Sequence, residues 1–348
     1  MKIAPIIHAI KKAQNEGKEI AYRLVHTGQH YDAKMSDTFF EELNIPHPDI
    51  NLECGGGSQA EQTANIMIAF EKDLMDNPTD LVMVVGDVTS TMACSIVAKK
   101  MNIKVSHVEA GIRSGDITMP EEINRIVTDS LTDYFFTTTI WAGENLRKQG
   151  VSNEQIFFVG NVMIDTLLAN INRFKAPELW EQMNLSPSKY IVMTMHRPAN
   201  VDEESNLKAV MMAISESVGE LPVIFPIHPR TRQIFEKAGI TAQNIHPIDP
   251  LGYLEFNYLV KYSKAVITDS GGITEETTVM GVPCITLRDN TERPETVELG
   301  TNVLIGTNPD AIKPAIEILN SGNWKTGKVP HLWDGKAAER IINQLLKL

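Results

Sequence analysis

Short apolar runs, each closed by a turn and followed by a helical stretch, recur along the whole chain. That alternation constrains the fold more than any other feature. EIAYRLVHTG, DLVMVVGD, IKVSHVEAG, DYFFTTT and IFFVGN fill the first half, and YIVMTMHRP, LPVIFPIHP, KAVITDSGG and VPCITLRDN fill the second. Strands that alternate with helices make parallel, doubly wound sheets, so an α/β fold with one such sheet in each half is expected. TSTMACSIVAKKM and AGENLRKQG read as intervening helices, the latter closed by Gly150. The chain also opens on a helical pattern, with Ile3, Ala4, Ile6, Ile7 and Ile10 at helical spacing, Pro5 in the first turn and Lys11 and Lys12 starting a polar face. At 348 residues the chain suits two domains of roughly 150 residues each, joined near Gly160 and Asn161.

A hydrophobic fraction of 43% and a charged fraction of 22% are ordinary for a soluble globular protein. No apolar run approaches the roughly 20 residues that span a bilayer, and the first dozen residues lack the apolar core of a signal peptide, so a cytoplasmic protein without membrane contact is expected. Cys54, Cys94 and Cys284 are odd in number and far apart, which suits reduced, buried thiols. A net charge of −12 argues against nucleic acid as a partner. An anionic small ligand would need a locally positive pocket, built from the few basic residues and helix N-termini near the chemistry.

The polar residues fall at strand ends. Gly86-Asp87, Glu109-Ala110-Gly111, His196-Arg197, His228-Pro229 and Asp269-Ser270-Gly271-Gly272 each follow an apolar run directly, where open α/β sheets bind ligands. Any one of them reads equally as a loop residue or a cap; five in two domains point to a cleft between them. Ser270, Gly271 and Gly272 fit a strand-to-helix turn that brings bare backbone and helix N–H groups to a phosphate, with Glu276 one turn on to accept from a ribose diol. A capping box fits the same residues. Neither a Walker motif nor a G-x-G-x-x-G is present. Arg288 and Arg293 stand among Asp289, Glu292 and Glu295, either as a solvated charge run or with Arg293 set for a phosphate or a pocket carboxylate. HVEAGIRSGDITMPEEINR carries Glu109, Arg113, Asp116, Glu121, Glu122 and Arg125 from a strand end into a helix, where Pro120 and the two glutamates also make a plain N-terminal pattern. Several acids converging near Asp87 suit proton transfer and stabilisation of a cationic sugar carbon. His196 and His228 stand out by position, and no metal-ligand spacing occurs.

Taken together, KIAPIIHAIKK, HTGQHYD, VVGDVTSTMA, HVEAGIRSGD, MPEEINR, FVGN, MTMHRPANVD, IHPRT, DSGGITEE and RDNTERPE stand in the order found in the non-hydrolysing UDP-N-acetylglucosamine 2-epimerases, and the chain resembles that family over nearly its whole length. The resemblance implies a glycosyltransferase-B-like fold with two Rossmann-like domains, a UDP-sugar between them, a homodimer, and a C-terminal helix that crosses back to the first domain. The implied domains are residues 1–161 plus 334–348, and 162–333. Carried over by position, Asp87, Glu109 and Glu121 resemble the family's catalytic carboxylates and His196 its catalytic histidine. Lys2, His228, Phe256, Ser270, Gly271, Gly272, Glu276 and Arg293 resemble its UDP-binding set. The implied reaction interconverts UDP-N-acetylglucosamine and UDP-N-acetylmannosamine for polysaccharide biosynthesis, by elimination of UDP to 2-acetamidoglucal and re-addition, with no cofactor.

The sequence departs from the family in two places. A strand and a Gly-Thr-Arg-Pro turn precede the KIAP helix in the family and are not found here, so Met1 reads as an internal methionine, and a slot or a repaired pairing is expected between the strands near Ile20–Val25 and Leu81–Val85. Gln29 matches a residue of an allosteric second site in some members, but Asp32 replaces the second glutamine, so that regulation is not expected. The alternatives are a hydrolysing relative releasing UDP and N-acetylmannosamine, an epimerase of a diacetamido uronic acid, a glycosyltransferase of the same fold, and a UDP-sugar sensor without the catalytic acids.

Overall fold

The computed structural model describes residues 1–28, 33–240 and 242–348, apart from the side chains at 33–37, 198, 199 and 230. Gln29 and Asp32 lie outside the described residues. The chain forms two units, Met1–Ala169 with His331–Leu348, and Asn170–Pro330.

In the first unit, α1 (Ile3–Asn15), β1 (Val25–His26), α2 (Ala33–Glu42), β2 (Ile50–Asn51), α3 (Gln59–Asp76), β3 (Leu81–Val85), α4 (Thr89–Lys100), β4 (Lys104–Val108), α5 (Pro120–Leu131), β5 (Tyr134–Thr137), α6 (Ile140–Lys148) and β6 (Ile156–Phe158) lead into α7 (Val162–Asn170). Strands β3-β4-β5-β6 form a parallel sheet in that order, with Val85 opposite Val108 and Val108 opposite Phe136. β1 pairs with β2 alone, so the described strands of this unit fall into two sheets with no ladder between β1 and β3. EIAYRLVHTG supplies only two ladder residues, although Ile20 and Tyr22 still pack on the core. Helix α1 buries Ile6, Ile10 and Ala13 against Ala338, Ile341 and Ile342 of the C-terminal helix (Ala337–Leu345). Asp165 of α7 caps that helix, accepting from the Ala337 and Ala338 amides at 3.1 and 2.7 Å. Gly150, at φ 87°, ends α6.

The second unit contains α8 (Leu179–Gln182), β7 (Ile191–Thr194), α9 (Pro198–Val201), α10 (Glu204–Val218), β8 (Val223–Pro226), α11 (Pro229–Lys237), β9 (Ile245–Ile248), α12 (Tyr253–Tyr262), β10 (Ala265–Thr268), α13 (Gly271–Met280), β11 (Cys284–Thr286), α14 (Pro294–Glu298), β12 (Asn302–Leu304) and α15 (Ile312–Asn320). Its sheet runs β12-β11-β10-β7-β8-β9, all parallel. The central β10 and β7 are buried by continuous apolar runs, as a sheet covered on both faces requires. Strand order reverses between β7 and β10, the switch point at which such sheets open a crevice. The three cysteines are free and buried. Among the described residues no helix is long and apolar enough to cross a membrane.

Candidate functional site

At the switch point the chain leaves β7 through His196 and Arg197 and leaves β10 through Asp269, Ser270 and Gly271. Asp269 is fully buried. Its carboxylate accepts the His196 amide at 3.0 Å, the Arg197 amide at 2.9 Å, Asn200 Nδ2 at 3.1 Å and His196 Nδ1 at 2.8 Å. Burial opposes its charge, but His196 and these donors hold the carboxyl below the usual carboxylate range. The His196 side chain itself is 57% exposed. Ser270 begins α13 without a side-chain cap, so the capping box is not formed, and the turn is shaped by Thr268, whose hydroxyl accepts the Ser270 amide at 3.0 Å. A Cβ on Gly271 would lie 2.9 Å from Glu292 Oε1, so that glycine lets the 288–293 segment lie against the turn.

That segment is no solvated charge run. Arg288 and Arg293 are each 5% exposed. Arg288 holds Glu292 at 2.6 Å and, against the cost of burial, keeps its carboxyl at about 2. Arg293 Nε lies 2.6 Å from Glu275 Oε1, itself buried. Beside it, burial pushes Glu276 up to about 7, the Tyr253 hydroxyl donating to it at 2.9 Å, and burial likewise pushes Glu295 up to about 7. His228 is exposed after β8, its carbonyl accepting the Arg232 amide in the first turn of α11, and Phe256 is half-buried on α12.

In the first unit the ends of β3 and β4 stand side by side, which puts Asp87 and Glu109 in the turns that follow neighbouring strands. Glu109 is 3% exposed and sits at φ 73°, a left-handed conformation that a residue with a Cβ adopts at a cost of about 1–3 kcal/mol. Lys2 Nζ reaches Glu109 Oε2 at 2.7 Å. The lysine passes over Gly86, where a Cβ would meet Nζ at 3.2 Å. Asp87 accepts from Arg125 Nη1 at 2.5 Å, and its carbonyl accepts Asn124 Nδ2 at 2.9 Å. The same arginine donates through Nε and Nη2 to Glu122 at 3.0 and 2.7 Å. Glu122 in turn accepts the Ser114 and Gly115 amides, which with Arg125 hold its carboxyl below the usual range despite burial. Glu121, one residue earlier, is exposed in the first turn of α5.

Behind the acids lies a support that sequence reasoning missed. His107, fully buried, bonds Asp129 Oδ1 at 2.7 Å and the Gly86 carbonyl at 2.9 Å, and Asp129 Oδ2 takes the Gly111 amide at 3.1 Å and Arg113 at 2.7 Å. The pair ties together the turns that follow β3 and β4. Its signal was a histidine inside the apolar run KVSHV, where an unpaired polar side chain would be costly.

The two strand-end sites can do separate things. The second unit offers half-buried backbone donors at a helix start, two buried arginines and two buried carboxyls pushed up to about 7, which suit a nucleotide. The first offers carboxylates with fixed cationic partners, which suit proton transfer and stabilisation of developing positive charge.

A family model described as UDP-N-acetylglucosamine 2-epimerase matches residues 12–346. The UDP-N-acetylglucosamine 2-epimerase of Methanocaldococcus jannaschii is 41% identical over 361 residues, covering 99% of this chain and 95% of that protein. The UDP-2,3-diacetamido-2,3-dideoxy-D-glucuronate 2-epimerase of Pseudomonas aeruginosa is 38% identical over 365 residues, covering 100% of both. Among solved structures, that of the M. jannaschii UDP-GlcNAc 2-epimerase in complex with UDP-GlcNAc and UDP matches with a TM-score of 0.90 at 41% identity, over 100% of this chain and 96% of that one. The fold is therefore glycosyltransferase-B-like, with two Rossmann-like units.

Proposed function

We infer the activity from one premise: this chain belongs to the UDP-N-acetylglucosamine 2-epimerase family. It interconverts UDP-N-acetylglucosamine and UDP-N-acetylmannosamine without hydrolysis. The C2 proton of the sugar has no adjacent carbonyl, so direct abstraction would leave an unstabilised carbanion. Elimination avoids this. The C2–H and C1–O bonds break, giving 2-acetamidoglucal and UDP; UDP oxygen then returns to C1 and a proton to the opposite face of C2. Neither step changes the oxidation state of the substrate, so no redox cofactor is called for.

Asp87, Glu109 and Glu121 of the first unit and His196 of the second carry the proton transfers and the oxocarbenium-like states. His228, Phe256, Ser270, Gly271, Gly272, Glu276 and Arg293 hold UDP, with Lys2 for the departing phosphate. The observation that carries the reading is Glu109: a buried carboxylate kept in a left-handed conformation, paired with Lys2, at the end of the strand next to the one that leads to Asp87. Strained residues cluster at active sites, which supports a functional role for this buried one. The protein acts as a cytoplasmic homodimer. NMR of a reaction with UDP-N-acetylglucosamine tests the reading. It predicts a mixture of two UDP-sugars, whereas accumulation of free UDP and N-acetylmannosamine would establish the hydrolysing reaction instead. The relative from P. aeruginosa favours one second reading, a diacetamido-uronate substrate, which would show as turnover of that sugar nucleotide alone.

A further inference from the structure

Asp269 accepts five hydrogen bonds, counting both oxygens to the His196 amide, and every donor lies in the turn after β7 or in α9, which follows it. A carboxylate only accepts, so His196 Nδ1 carries the proton in the 2.8 Å contact and the lone pair of a neutral ring is on Nε2. Nε2 has no hydrogen-bond partner among the described residues, and the ring is more than half exposed. The Asp269 backbone carbonyl also accepts Arg197 Nε at 3.1 Å, and the next residue opens the Ser270-Gly271-Gly272 turn. One buried residue thus fixes both the tautomer of His196 and its place relative to the helix start that meets the phosphates.

We propose that Asp269 is the positioning residue for His196: it holds the Nδ1–H tautomer so that Nε2 exchanges the proton with the sugar, and it stabilises the imidazolium that forms. The inference rests on the epimerase reading. A purely structural role is the competing account, since Asp269 also braces the loop through Asn200, whose amide donates to Leu287 O at 3.1 Å as well. The two accounts separate because a brace would change stability, while a positioning carboxylate changes kcat and the ring's proton pattern.

Two measurements decide it. The first is a long-range ¹⁵N–¹H spectrum of the resting, histidine-labelled protein, with His196 assigned by its loss in His196→Gln. The neutral ring should show Nδ1–H in the wild type and lose that preference in Asp269→Asn. The second is steady-state kinetics. Asp269→Asn should lower kcat about 100-fold or more with KM within about threefold, the scale at which an oriented histidine acts. Asn244→Ala is the control: Asn244 sits at the opposite end of the sheet, bonded to Ser215 and Gly219, and its loss should lower the melting temperature and spare kcat. A wild-type His196 in the Nε2–H form, or an Asp269→Asn variant with kcat within about threefold of wild type, would overturn the proposal. If Asp269→Asn does not fold, Asp269→Glu, which keeps an acceptor but moves it, takes its place under the same kcat criterion, and a wild-type spectrum of the Nε2–H form overturns the proposal on its own. That spectrum is read without turnover, so a wild type that shows the Nδ1–H form yet epimerises nothing contradicts the epimerase reading and leaves the Asp269–His196 pairing in place.

Discussion

Glu109 and Glu276 set the terms at the residue scale, because each is a carboxylate that the fold buries. Replacing Asp87, Glu109 or Glu121 by its amide is expected to lower turnover by about 100-fold or more while leaving the UDP dissociation constant nearly unchanged, as the transition-state roles proposed for them require. A parallel loss of UDP affinity in all three, measured by calorimetry, would refute that division of roles. Glu276 behaves differently. Its carboxyl sits at about 7 in the fold against an ordinary value near 4.5, so between those values the folded protein binds more protons than the unfolded chain and stability falls as pH rises. Glu276→Gln should therefore raise stability at pH 8, by up to about 3 kcal/mol, an advantage that fades toward pH 4.5, while weakening UDP binding. A variant that melts lower than wild type at pH 8 would contradict it. Arg293→Ala is less clean than the sequence suggests. It removes the guanidinium 2.6 Å from buried Glu275, and breaking such a buried pair costs ~3–5 kcal/mol, so both UDP affinity and the stability of the second unit are expected to fall.

At the scale of elements, the strands were legible because they are short apolar runs with polar residues at their ends. Eight of the nine quoted runs form full strands where read, from Leu81–Val85 to Cys284–Thr286. The exception, EIAYRLVHTG, shows why the rest was hidden: a strand exists only where a partner lies beside it, and periodicity carries no information about partners. β9 and β12 went unread because HPID and TNVLIG are short and mixed in polarity. In the site, the strand-end residues, Asp269 among them, were legible, whereas the contacts of Asp269 with His196 and Asn200 and the His107–Asp129 pair join separate elements and were not. The same limit hid the cap on the C-terminal helix. Asp165→Ala removes acceptors from two amides at its start and should cost about 1–2 kcal/mol, seen as a lower melting temperature and earlier proteolysis of the C-terminal segment. Unchanged protection would show that packing against α1 alone seats the helix.

For the molecule as a whole, the proposed UDP-binding residues other than Lys2 lie in the second unit and the proposed catalytic carboxylates in the first, with His196 of the second unit joining them in the proton transfers, and the protein is expected to run by light scattering as a dimer of 38.7 kDa chains. The central claim is that C2 inverts by loss and return of UDP with a solvent proton delivered in between. The most direct measurement is epimerisation of UDP-N-acetylglucosamine in deuterated water, followed by NMR at C2 of both UDP-sugars. Elimination and re-addition predict that the manno product carries deuterium at C2 from the first turnovers, with label appearing in recovered starting material as the mixture equilibrates. Epimerisation that leaves protium at C2 would contradict it.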